Sequence, residues 1–176
     1  MLRPCLIAIA LLVVPATTVA ANEKPVPEGL NCPAEAGGAE LISTALASAE
    51  PGVSGLCVYY VYDEEDSGRN VTLTLRVGTA DYDPNRSFRN PKMERGGMAI
   101  TEEGTRTVSF GGRSAPATVI SLTGKEADLG EITDVYNTLH VFRLDGGRVV
   151  ALEVEYTNLS ADLHQAPRDA LLAAQN

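Results

Sequence analysis

Few side chains in this chain of 176 residues combine a reactive type with a useful neighbourhood. The first is His140, in the stretch "TLHVFRLDGGRVVALEVEY" (138–156). Apolar and polar residues alternate on both sides of Gly146 and Gly147, which predicts a β-hairpin. A two-residue turn puts His140 opposite Glu153. A carboxylate beside an imidazole fixes its tautomer and raises its basicity, which is how a general base is paired with its orienting group. A three-residue turn, Asp145 to Gly147, puts His140 against Leu152 on an apolar face, as a hydrogen-bonded core residue. His140 and Glu153 are therefore the candidate catalytic pair of a small hydrolase under the first register only. Ser109, Ser114 and Ser121 are present, but none stands in a G-x-S-x-G setting, so the pair has no recognisable nucleophile. His164, in a polar stretch, reads as a surface residue.

The second group is cationic. Between Pro84 and Gly97, Arg86, Arg89, Lys92 and Arg95 stand against Glu94 alone, with Phe88 among them. Arginine can make bidentate contacts to carboxylate or phosphate, so Arg86, Phe88, Arg89, Lys92 and Arg95 are candidate ligand-binding residues for an unknown protein or a small anionic ligand. The competing expectation is that this segment neutralises the protein's own carboxylates, at Asp63 to Asp66 or at Glu153 and Glu155. Asp81, Asp83 and Asn85 have the opening spacing of a calcium loop. Arg86 and Lys92 then stand where that loop needs a glycine and a glutamate, so no metal site or cofactor is expected.

Cys32 and Cys57 are the only cysteines after residue 21 and are expected to form a disulfide. Residues 1–21 carry a basic start at Arg3, an apolar run and a small-residue end, and read as a cleavable signal peptide. Residues 22–31 read as a flexible leader and 32–176 as a single domain, secreted or periplasmic, with no membrane span once the signal is cleaved. The net charge of −9 disfavours nucleic acid as a partner.

The elements that must position these residues follow from hydrophobic period. Leu41, Ile42, Ala45, Leu46 and Ala49 form a helical stripe that predicts a helix over about 38–50, ended by Pro51 and Gly52. Residues 56–62 and 71–77 predict paired strands. Residues 79–97, with two prolines and no apolar period, predict a long loop. Short strands follow at 98–101, 105–110 and 117–123, then the 138–156 hairpin, then a terminal helix with Pro167 in its first turn and bearing Leu171 and Leu172. The expected class is α+β: an antiparallel sheet of about six or seven strands with an N-terminal and a C-terminal helix packed on it. The expected function is that of a small non-catalytic binding or accessory protein, with the hydrolase and a structural envelope component as alternatives.

Overall fold

The computed structural model describes residues 24–63, 66, 68–128 and 131–175, so the expected signal peptide and Glu64 and Glu65 lie outside the described residues. Two four-strand meanders make a single antiparallel sheet. The first is β1 (Glu35–Ala36), β2 (Ala39–Ala45), β3 (Val53–Tyr62) and β4 (Asn70–Gly78); the second is β5 (Ala99–Phe110), β6 (Arg113–Asp128), β7 (Glu131–Arg143) and β8 (Val149–Thr157). The spatial order is β1-β2-β3-β4-β8-β7-β6-β5. The meanders therefore meet along β4 and β8, from Val71 opposite Tyr156 to Gly78 opposite Val149. Helix α1 (Pro84–Gly96) links the two halves, and α2 (Gln165–Ala174) closes the chain.

Strand alternation gives the sheet two apolar faces. Leu73, Leu75, Phe142, Leu152 and Val154 point to one face and are covered by Leu171 and Leu172 of α2. Ile120, Leu122, Leu139, Val141 and Ala151 point to the other and are covered by Phe88 of α1 together with Tyr82. One helix thus lies on each face. Pro116 is tolerated within β6 because β6 meets β7 only from Thr118 onward, so the missing N–H leaves no ladder bond to β7 unmade.

The α+β class holds, with eight strands rather than six or seven. The helix expected over 38–50 is instead the end of the β1–β2 turn, β2 and the irregular segment after it. Gly37 and Gly38 take positive φ of 58° and 89° and form a two-residue turn, with Ala36 opposite Ala39. The apolar stripe lies along an outer strand, and Ile42 and Leu46 remain exposed. The loop expected over 79–97 contains α1, which begins at Pro84 and ends at Gly97 in a left-handed cap.

The disulfide Cys32–Cys57 is present, with Cα atoms 6.4 Å apart. The stretch preceding it is packed from Pro27 onward: Leu30 enters the core. The Asn31 amide donates to Gln175 Oε1 at 3.1 Å, and Gln175 Nε2 donates to the Asn31 carbonyl at 2.8 Å. Among the described residues no helix is long and apolar enough to cross a membrane.

Candidate functional site

The 138–156 hairpin has three residues in its turn. Gly146 and Gly147 take φ of 78° and 80°, and the Leu144 amide donates to the Arg148 carbonyl at 2.8 Å. His140 consequently stands opposite Leu152, and Glu153 stands opposite Leu139. His140 and Glu153 point to opposite faces, so the candidate catalytic pair is not brought together. His140 is only 5% exposed. Its Nδ1 is buried and has no hydrogen-bond partner among the described residues, contrary to the expectation of a hydrogen-bonded core histidine. Burial, reinforced by the nearby Arg168 cation, pushes its pKa down to about 4, so the ring is neutral at physiological pH.

Glu153 belongs to an ion-pair network on the α1 face. Lys92 Nζ lies 2.8 Å from Glu153 and 3.0 Å from Glu155, and also donates to Asn137 Oδ1 at 2.6 Å. Arg76 reaches Glu153 at 2.9 Å and Glu50 at 3.3 Å. Burial alone would raise the Glu153 pKa, but Arg76 and Lys92 outweigh it and hold the carboxyl below its ordinary range. Of the cationic segment, Lys92 therefore faces Glu153 and Glu155, Arg89 pairs with Glu103, and Phe88 is a core residue. Arg86 is exposed, and Arg95 lies in α1 with its side chain outside the described residues.

A different constellation forms on the α2 face. A groove of about 370 Å³ runs between β5, β6, β7 and α2, with His140, Ser121, Thr138, Arg106, His164 and Arg168 in its lining. Strand register explains the first three. Val119 stands opposite His140 and Ser121 opposite Thr138, with the two hydroxyls 3.5 Å apart. The ring of His164 stacks on Tyr156, centroids 4.0 Å apart and nearly parallel, and Tyr156 stacks in turn on Tyr136 at 5.2 Å. His164 Nδ1 lies 2.7 Å from the Ala161 carbonyl, which fixes the ring's orientation. His164 is thus half-buried in an aromatic stack rather than a plain surface residue. Its pKa is lowered by burial, against the opposing pull of that hydrogen bond.

The two guanidiniums differ from Lys92 in what holds them. Arg168 pairs at 2.8 Å with Asp169, whose side chain is 64% exposed, and Arg106 pairs with Glu102 at a solvent-facing edge. Such surface pairs are worth roughly 0–1 kcal/mol, so an incoming anion can replace the carboxylate partner. Glu153, only 15% exposed and held by two cations, cannot release Lys92 so cheaply. A larger groove of about 670 Å³ lies where Val26, Gly78 and Gly146 meet, with Glu28, Ser54, Thr79 and Arg148 in its lining, and it lacks the paired arginines of the α2 groove.

Comparison with known proteins adds little. No family model matches the chain, and no curated protein matches it. Among solved structures, the chain is similar to LpqN of Mycobacterium tuberculosis, described as involved in cell envelope biogenesis. The identity is 17% and the TM-score 0.39, over 87% of this chain and 80% of that one. A likeness at that level bears on neither ligand nor activity.

Sequence reasoning missed Arg106, Thr138, Tyr156 and Arg168. They come from four different elements and stand at least a dozen residues apart, so no local spacing marks them. His140 and Ser121 were visible as reactive types, without their company.

Proposed function

We propose that this chain is a secreted or periplasmic, non-catalytic binding protein that takes a small anionic ligand in the groove between β5, β6, β7 and α2. The observation that carries the reading is the convergence there of Arg106 and Arg168, from opposite walls, each held only by an exchangeable surface carboxylate. Ser121 and Thr138 supply hydroxyls to the lining, with neutral His140 packed beneath them. The groove is of the size that accommodates a small molecule. The Cys32–Cys57 disulfide supports an oxidising compartment.

This reading moves the binding surface away from the α1 segment, whose Lys92 is committed to Glu153 and Glu155. Inorganic phosphate and citrate serve as probes, followed by thermal shift and by chemical-shift mapping. Both anions are expected to perturb residues around Arg106, His140 and Arg168. Arg168→Glu should weaken binding at least about tenfold, as expected when a charge-assisted contact becomes repulsive. Arg86→Glu should leave it unchanged. Loss of binding in Arg86→Glu with no effect in Arg168→Glu would return the site to α1, and no binding of either anion would overturn the proposal.

A further inference from the structure

The two edges of the sheet are treated differently. At one edge β1 is two residues long and pairs only with Ala39 and Glu40, so the free edge there is the short remainder of β2 up to Ala45. At the other, β5 runs twelve residues from Ala99 to Phe110, and most of its side chains are exposed. Among the described residues its outer N–H and C=O groups have no neighbouring strand, because β5 is the last in the order.

The sequence of that edge is self-complementary about Gly104. When two copies of β5 are laid antiparallel with Gly104 opposite Gly104, Glu102 of each stands opposite Arg106 of the other, and Glu103 stands opposite Thr105. Further out Thr101 meets Thr107, and Ile100, 38% exposed in one copy, meets Val108. A β-bulge at Thr101 bends the ladder there, so the regular core is Glu102 to Arg106. Opposite charges directly across an antiparallel pair attract, and two such pairs are made at once by the two-fold symmetry.

Gly104 leaves open space at the centre of this edge. A Cβ built there meets nothing within 4 Å, and its φ is not positive, yet glycine in a strand interior weakens the strand. Within one copy Arg106 and Glu102 reach across the gap to each other. In an antiparallel pair each can instead meet its opposite number on the second copy.

We propose that β5 is a homodimer interface, pairing edge to edge with a second copy of this chain about a two-fold axis at Gly104. The sheets then continue from one copy into the other. Glu102 and Arg106 line the groove between β5 and α2, so the second copy adds an arginine and a glutamate at the rim of each groove.

Sedimentation velocity over a concentration series tests this on the purified protein. The expected result is a monomer–dimer equilibrium. Arg106→Glu, which sets carboxylates against each other across the axis, should weaken the dimer at least about tenfold. The double variant Glu102→Arg/Arg106→Glu should restore it to within about threefold of wild type. Thermal melts of both variants establish that they are folded. Gly104→Cys should form an intermolecular disulfide, because directly opposed Cα atoms in an antiparallel pair lie about 4.5–5.5 Å apart, within disulfide reach. Thr101→Cys, which faces Thr107 rather than itself, should not. A monomer at every concentration, a charge swap that fails to restore the dimer, or a dimer that Gly104→Cys does not cross-link would each overturn the proposal.

Discussion

His140 shows how one residue in a turn decides a side chain's chemistry. Asp145, Gly146 and Gly147 suit either a two-residue or a three-residue turn, so the sequence leaves the histidine's face open. The positive φ of both glycines and the Leu144 to Arg148 hydrogen bond decide it, placing His140 with Leu152 and out of reach of Glu153. Its folded pKa of about 4, against an ordinary 6.5, means that the unfolded chain takes up this proton first. Stability from this site is complete above pH 6.5 and falls progressively as pH drops through about 4, by up to roughly 3 kcal/mol on linkage. His140→Gln should flatten the fall of stability between pH 6.5 and 4, measured by urea unfolding at a series of pH values. An unchanged slope would mean that the buried ring is not the titrating group. Glu153, held below its ordinary range, adds its own loss at lower pH as its carboxyl protonates.

At the scale of elements, a continuous apolar run marks β3, alternation marks β4 and the hairpin β7–β8, and Leu171 and Leu172 behind Pro167 mark α2, which made these elements legible. The short strands expected at 98–101 and 105–110 are one continuous strand, β5, and two further misreadings have physical causes. The residues of β2 happen to repeat at helical spacing, but Gly37 and Gly38 serve the turn that pairs β1 with β2, and Gly37 is packed so closely that a Cβ would lie 2.5 Å from the Ala166 carbonyl. Helix α1 is the converse case. It contains Pro91 and almost no apolar period, so it is held by tertiary contacts: Phe88 in the core beneath it and Lys92 on Glu153 and Glu155. Its approach to the sheet depends on Tyr82, which is buried on Gly52 and Gly78. A Cβ at Gly78 would come within 2.7 Å of the Tyr82 side chain and 2.5 Å of the Gly52 carbonyl. Gly78→Ala is therefore expected to destabilise the protein by about 2 kcal/mol, the ordinary cost of overpacking, in denaturant unfolding. A change within about 0.5 kcal/mol would show that the segment carrying Tyr82 yields freely.

The whole molecule is tied at both ends to the same patch of sheet. Cys32 is bonded to Cys57 in β3, and the adjacent Asn31 exchanges hydrogen bonds with Gln175 just beyond α2. The disulfide should contribute about 3 kcal/mol by restricting the unfolded chain. Cys32→Ser/Cys57→Ser should lower stability by that amount and make the unfolding midpoint insensitive to reductant, whereas the wild-type midpoint should fall when reductant is added. The pairing of the two meanders has a further, kinetic consequence. Among the described residues their shared ladder joins Val71–Gly78 to Val149–Tyr156, so β4 must wait for a strand more than seventy residues later in the chain. A chain emerging amino-terminus first can complete β1 to β4 early, yet the apolar face of β4 finds its cover only when β8 and α2 have appeared. Non-local closure of this kind is slow, and it leaves the edge of β4 open to wrong partners in the interval. The chain's weakest moment is thus the passage of its second half, when the seam is still waiting for its last strand.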